Sequence, residues 1–341
     1  MNVAIIGCGL IGRKRASALD KNDKLAACCD TNIDIAKKFG EDFGCSYFAD
    51  YKKLLKEIKS DSVVVAVVNK YAKEIIINAL NNGKNVIAEK PLGRNADEAR
   101  EILASANISN TSSYQYSVLP ILKTGFNHRF HPAIWKAKQM ADEGMIGKIF
   151  NIYARYGHGG RYGMEKEWRA SKDLCGGGEV LDQGVHIIDL IRWFGGEINE
   201  VFGKTETKFW DMEVEDNAVA ILKTENNITA SFQISWTNWK NIFSFEIFGT
   251  DGYLKINGLG GNYGPETLEF GKRKPEGGRP EIELFEFPSN DVSWEKEWVE
   301  FKKAVEEKRI PLSDGINGLK ANIVVDAIYK SSLKNEVILL D

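Results

Sequence analysis

Over its first hundred residues the chain alternates short apolar runs with amphipathic stretches. Residues 3–6 are apolar and stop at Gly7, the pattern of a buried strand, and residues 25–29 repeat it. Residues 63–68 are the clearest case, six apolar positions of which five are valine, as in a parallel strand covered on both faces. Residues 85–88 form another such run. Between them, 12–19, 33–43, 51–58 and 75–80 carry helix-compatible patterns, and the last leads into Asn82-Gly83, a C-cap signal. Asn95 with Glu98 three positions later reads as a capping box, opening a helix that runs to about residue 106. Strands alternating with helices predict a parallel sheet with helices on both faces. Residues 107–120 are polar and end in Pro120, and are expected to connect a first domain, 1–122, to a second, 123–341.

In the second part the period changes. Helices are expected over 132–142 and 183–194, but from 197 to 287 alternation dominates, in 218–222, 229–236 and 243–248. Asn226-Asn227 and Thr250-Asp251-Gly252 punctuate it. This predicts a large, mostly antiparallel open sheet within an α/β domain. Its apolar positions, with Trp236 and Trp239 as exposed-type aromatics, need a cover on one face, so a homodimer or homotetramer is expected. Two closing helices are expected over 294–306 and 316–331.

Composition narrows the function. The 341 residues are 43% apolar and 27% charged, which excludes a disordered or low-complexity chain. Lys and Arg total 45 against 48 Asp and Glu, so no basic excess is left for a phosphate backbone, and no nucleic-acid partner is expected. Five cysteines, an odd number without a CxxC spacing, indicate neither a disulfide framework nor a zinc site and favour a reducing, cytoplasmic setting. No leader-like segment and no membrane-length apolar run occurs, so no membrane partner is expected.

The chemistry begins with Gly7-Cys8-Gly9-Leu10-Ile11-Gly12, a G-x-G-x-x-G directly after a strand and opening a helix. Such glycines allow a tight turn, close approach of backbone to a pyrophosphate, and close helix–strand packing, while the helix N-terminus favours phosphate. Asp30 ends the second apolar run, where a carboxylate would accept hydrogen bonds from the adenosine ribose hydroxyls. Together they predict dinucleotide binding in a Rossmann domain, NAD in preference to NADP because Asp30 repels a 2′-phosphate. Arg13, Lys14 and Arg15 could offset that repulsion or form a solvated helix face. Lys90, in Glu89-Lys90-Pro91, follows the strand at 85–88 and would face the ligand crevice of an open α/β sheet. Asp182, His186 and Asp189 are spaced i, i+4 and i+7, one face of a helix covering them all. With a single histidine and no cysteine among them, no metal site is expected. Asp182 as a helix N-cap and His186 as a core group is the competing reading of the same residues.

These pieces together resemble the Gfo/Idh/MocA family of NAD(P)-dependent oxidoreductases, which includes glucose–fructose oxidoreductase and inositol dehydrogenase. The resemblance rests on the glycine fingerprint, Glu89-Lys90-Pro91-Leu92, Gly125-Phe126-Asn127-His128-Arg129-Phe130-His131-Pro132, and Gly177-Gly178 running into Asp182-x-Gly184-x-His186. It implies a Rossmann domain followed by an α/β domain whose sheet forms an oligomer interface. It also implies a catalytic group of Lys90, Asp182 and His186, and a cofactor set of Gly7, Gly9, Leu10, Ile11, Gly12, Asp30, Asn69, Glu89 and Lys90. The substrate candidates are Asn127, Arg129, Trp168 and Arg169. The segment 157–174 looks like members associated with sugar and surface-polysaccharide metabolism. The implied reaction moves hydride between NAD(P) and a secondary hydroxyl or ketone of a sugar, polyol or nucleotide-sugar. Either His186 or Lys90 would act as base. The alternatives are an NAD-assisted glycosidase that keeps its cofactor bound and a non-catalytic dinucleotide-binding regulator. Two features depart from the family. Val67-Val68-Asn69-Lys70-Tyr71 stands where relatives carry Thr-Pro or a similar pair with a nearby His, and the connection 107–120 is longer than usual.

Overall fold

The computed structural model describes residues 1–106 and 120–340. The chain divides into two compact units, Met1–Phe126 with Trp294–Asn322, and Asn127–Ser293 with Ile323–Asp341.

The first unit begins with β1 (Asn2–Ile6), α1 (Leu10–Ser17), β2 (Lys24–Cys29), α2 (Ile33–Phe43), β3 (Ser46–Phe48) and α3 (Tyr51–Glu57). It continues with β4 (Ser62–Val65), α4 (Asn69–Asn81), β5 (Asn85–Glu89), α5 (Ala96–Ser105) and β6 (Leu122–Gly125). The six strands pair in parallel in the order β3-β2-β1-β4-β5-β6. The order reverses between β1 and β4, the point at which open α/β sheets bind ligands beyond their strand ends. The valine run is shorter as a strand than expected. Beyond Val65, Ala66 donates its N–H to the Ile6 carbonyl at 2.8 Å, and the chain turns into α4. The helix predicted at 95–106 forms, with Asn95 accepting the Glu98 N–H at 2.9 Å. The Glu98 carboxylate accepts the Arg94 N–H at 2.9 Å and its guanidinium at 2.6 Å.

The expected division at 122/123 falls inside β6, which pairs with β5 as the sixth strand of the first sheet. The connection 107–120 lies, apart from Pro120, outside the described residues.

The second unit carries a 3₁₀ turn (Asn127–Phe130), α6 (Pro132–Asp142), β7 (Ile149–Gly157), α7 (Lys172–Cys175), a π-helical turn (Val180–Gly184) and α8 (Val185–Gly195). Its remaining strands are β8 (Ile198–Glu206), β9 (Asn217–Thr224), β10 (Thr229–Ser235), β11 (Ile242–Gly249), β12 (Gly252–Asn257), β13 (Thr267–Lys272) and β14 (Glu281–Glu286). The last elements of the chain are α9 (Ser293–Glu307), α10 (Gly315–Lys334) and β15 (Ile338–Leu339). The nine-stranded sheet runs β14-β13-β12-β11-β7-β10-β9-β8-β15, antiparallel except for the β7–β10 pair. Strands β9 to β12 alternate buried and more exposed positions, the period seen in the sequence. Trp236, expected to be exposed, is fully buried just past β10 and packs with Met164, Cys175 and Val214. Trp239 is 62% exposed.

The helix predicted at 294–306 belongs to the first unit. Trp298 and Phe301 join Val3, Ile5, Cys28, Phe39 and Ile87 in its core. Burying each of these two rings contributes roughly 1.5–3 kcal/mol, so the helix is held by the first sheet. The domain expected as 123–341 is therefore interrupted by Trp294–Asn322. Among the described residues no helix is long and apolar enough to cross a membrane.

Candidate active site

In the first unit, the glycine fingerprint lies at the switch point of the sheet. Gly7 has φ +101°, and a Cβ there would lie 2.1 Å from the Ala66 carbonyl oxygen; one on Gly12 would lie 1.9 Å from the Gly7 oxygen. These two positions admit only glycine, because the turn folds back on β4 and the helix packs onto the turn. Among the described residues nothing lies within 4 Å of a would-be Cβ on Gly9. Gly9 caps α1 without a side-chain hydrogen bond, and Leu10, the first helical residue, is 73% exposed. Open space therefore meets the positive end of a helix, the environment a pyrophosphate requires. Asp30 follows β2, and its carboxylate accepts the N–H groups of Cys8 (3.1 Å) and Asn32 (3.0 Å), which ties it to the glycine turn. This cradle fits a dinucleotide. Asn69 is the first residue of α4, beyond the end of β4.

Glu89, expected to contact the cofactor, is engaged by Arg15 within the unit. The Arg15 guanidinium donates to its carboxylate at 2.6 Å, and also to Glu297 at 2.6 Å, while lying 4.6 Å from the Trp294 ring centre. Burial alone would lower the Arg15 pKa, but the Glu297 and Glu89 carboxylates raise it above its ordinary value. Arg15 is 2% exposed, so it is not available to a 2′-phosphate. Arg13 pairs with Asp42 at 2.7 Å, and Lys14 lies 5.2 Å from the Trp294 ring centre. The buried pair fixes the end of β5, from which Lys90 extends.

In the second unit, Asp182 lies in the π turn and His186 in the first turn of α8. They thus lie on consecutive turns, though not of one regular α-helix, and Asp182 is not an N-cap. Single π turns are frequent at functional sites. Glu215 holds this turn: its carboxylate accepts the N–H groups of Gly178 and Val180, each at 3.0 Å, and the Tyr329 hydroxyl at 2.8 Å. Burial raises the Glu215 pKa against these bonds. Arg169 Nε lies 3.4 Å from Asp182 Oδ2, and its guanidinium is 4.4 Å from the Trp168 ring centre. Three of the sequence-predicted residues, Trp168, Arg169 and Asp182, are thereby brought together.

Asn127 and Arg129 are turned inward. Arg129 is 4% exposed and donates two hydrogen bonds to Asp189, at 2.7 and 2.6 Å, with Trp193 against its guanidinium. It ties the 3₁₀ turn to α8. Asn127 is 5% exposed and hydrogen-bonds Ser293 and His128. The reason in both cases is that the tight 3₁₀ turn points these side chains into the unit.

Sequence reasoning missed several groups around His186. The His128 ring stacks on it with centroids 3.8 Å apart, and Tyr156 lies 3.2 Å from His128 Nε2. Tyr263 accepts from Gln183 at 3.1 Å. Burial, with Tyr263 and the fully buried Glu179 nearby, pushes the Tyr156 phenol well up; Tyr263 is pushed up to about 12, mainly by burial. Burial also lowers the His158 pKa, opposed by Asp182. His128 lay within a motif already noted, but Tyr156 and Tyr263 come from distant strands and turns and left no local signal.

Residues 1–114 match the model of an oxidoreductase family with an NAD-binding Rossmann fold, and residues 134–255 match the GFO/IDH/MocA C-terminal domain. The chain belongs to the Gfo/Idh/MocA family. As a member it is an NAD-binding oxidoreductase. It is similar to the levoglucosan dehydrogenase of Pseudarthrobacter phenanthrenivorans, with 24% identity over 304 residues, 75% of this chain and 73% of the relative. It is also similar to the dTDP-3,4-didehydro-2,6-dideoxy-alpha-D-glucose 3-reductase of Actinomadura kijaniata, with 29% identity over 264 residues, 75% and 74% of the two chains. Among solved structures, levoglucosan dehydrogenase in complex with NADH and levoglucosan superposes with a TM-score of 0.89 at 21% identity, covering 100% of this chain and 99% of the other. The family's Rossmann fold is the six-stranded sheet of the first unit.

Proposed function

We propose that the protein oxidises a secondary hydroxyl of a sugar, polyol or nucleotide-sugar, or reduces the matching ketone. When bound, NAD supplies the hydride acceptor, or in reverse NADH the donor. Gly7, Gly9 and Gly12, with the exposed start of α1 at Leu10 and Ile11, would hold the pyrophosphate; Asp30 would hold the ribose, and Asn69 would flank the cofactor. His186 takes the proton from the substrate hydroxyl, a contribution of about 10²–10⁴-fold. Lys90 hydrogen-bonds the same oxygen and stabilises its developing charge. Asp182 favours the protonated form of His186, and Arg169 beside it contacts the substrate together with Trp168. The observation that carries this reading is the π turn of Asp182 clamped by Glu215 directly before His186. Non-catalytic binding needs neither group. The small-molecule substrates in the names of the relatives support the substrate class.

We also propose a homo-oligomer built on the outer face of the large sheet. Val219 and Ile221 on β9 are 53% and 51% exposed, and Tyr153 on β7 is 44% exposed. Ile221 and Tyr153 flank Ser231 of β10 in one cross-strand row.

The test mixes purified protein with NAD and, separately, levoglucosan, methyl β-D-glucoside, myo-inositol and D-xylose, and follows NADH absorbance. Net NADH from at least one is expected, with a rate that falls at low pH as His186 becomes protonated. Lys90→Ala should lose most turnover while keeping NAD affinity within a modest factor. Cleavage of the glucoside without net NADH would replace this reading with a glycosidase. An acidic limb retained in His186→Asn would transfer the base role to Lys90.

A further inference from the structure

The hydrogen bonds that link Asp291 to His128 Nδ1 have one consistent direction. The Asp291 carboxylate can only accept, so Ser293 gives it its single hydroxyl proton, at 2.6 Å. Ser293 Oγ must then accept from Asn127, 2.9 Å away, which makes the facing Asn127 atom its NH₂ group. The other end of that amide, Asn127 Oδ1, lies 3.2 Å from His128 Nδ1, so Nδ1 carries a proton. In the neutral ring Nε2 is left as an acceptor, and the Tyr156 hydroxyl stands 3.2 Å from it. Tyr263 accepts from Gln183 at 3.1 Å and packs on Tyr156 with ring centroids 5.4 Å apart. His128 is 5% exposed and lies parallel to His186, with centroids 3.8 Å apart and an angle of 22° between the rings.

We propose that His128 is a positioning residue for His186, a neutral imidazole with its proton on Nδ1 whose ring face sets the plane of the base. This rests on the reading of His186 as the group that takes the substrate proton. A ring held neutral is what the position needs, because two imidazolium ions at this spacing would repel and His186 could not accept its proton. The other ionisable groups packed around the pair come from several elements. His131 meets His128 edge-on at 5.5 Å, with its own Nδ1 3.0 Å from Glu266 and Nε2 3.9 Å from Asp291. Tyr156 and Tyr263 close the far side, Glu179 and Asp182 belong to the segment before α8, and Arg169 offsets Asp182. Arg129 and Asp189 neutralise each other.

The chain has four histidines, so ¹⁵N-histidine labelling gives a spectrum that can be assigned by substitution. At neutral pH one ring is expected as the Nδ1–H tautomer, and its signals should vanish in His128→Phe. If the signals lost are those of an Nε2–H or a doubly protonated ring, the proposal is overturned. With whichever sugar of the panel above yields NADH, His128→Ala should lower kcat on the order of 10²-fold with KM changed only a few-fold, the signature of a misplaced group. His128→Phe keeps the volume and the stacked face and should recover most of that loss; failure to recover would overturn the role of the ring face. His128→Ala as active as the natural protein, with His186→Asn inactive, would overturn the positioning role alone. An acidic limb retained in His186→Asn would overturn the base assignment while the tautomer result stands.

Discussion

Arg129 and Asp189 form an ion pair whose side chains are 4% and 1% exposed. Replacing Asp189 by leucine removes the carboxylate partner of a guanidinium that remains out of water. Breaking one side of a buried pair costs about 3–5 kcal/mol. For a domain of this size each kcal/mol corresponds to about 2–4 °C, so the transition of the second unit should fall by roughly 6–20 °C. Pairing Asp189→Leu with Arg129→Met removes both charges and both desolvation penalties. The double variant should return to within about 2 kcal/mol of the natural protein, the residue being the lost contact of the guanidinium with Trp193. Scanning calorimetry resolves the transition, and urea unfolding followed by tryptophan fluorescence gives the free energies. The reasoning is refuted if Asp189→Leu costs less than about 1 kcal/mol, or if the double variant is no more stable than the single. The same double variant separates structure from recognition. Its KM for the active sugar should change only a few-fold, because Arg129 serves Asp189; a large rise in KM with stability restored would return Arg129 to the substrate.

Asp30→Ala should narrow or invert a preference for NAD over NADP, measured by titration calorimetry; tighter NADP binding by the natural protein would contradict the ribose role and, with Arg15 buried, leave Arg13 and Lys14 as the available cations. Burial would raise the Asp216 pKa, but Asn217 and the N–H groups of Lys208, Trp210 and Phe209 hold it below its ordinary value. Its stabilisation is therefore complete above the unfolded value of 3.8 and is lost as pH falls through the lower folded value. Asp216→Asn should melt lower at pH 7, and the gap should close in acid; a gap constant with pH would contradict the assignment. Light scattering at micromolar concentration should show a dimer or tetramer that Ile221→Glu dissociates, and a monomeric natural protein would end that proposal.

The alternation of short apolar runs and amphipathic stretches already determined the parallel sheet, and the period-two runs the large antiparallel one. Both follow from burial acting on local periodicity, which needs no knowledge of partners. The glycine fingerprint was legible because Gly7 and Gly12 answer to constraints within one turn. Only the tertiary structure decided where amphipathic faces find their cover: Trp298 and Phe301 look the same in sequence whichever unit they pack on. Only it decided the tasks of charged side chains. Arg15, Glu89 and Arg129 read as site residues because charge suggests exposure, and Asn127 because it stands in the Gly125–Pro132 motif, yet each meets a partner 60 or more residues away, or turns inward with its 3₁₀ turn. The stack of His128 on His186 depends on segments 58 positions apart, and the clamp of Glu215 on the π turn joins residues 35 and 37 apart. Sequence carries chemistry by residue type and nearby spacing; direction and partner are set when distant segments close on one another, because an ion or hydrogen-bonding group taken out of water must be satisfied by whatever the fold brings to it.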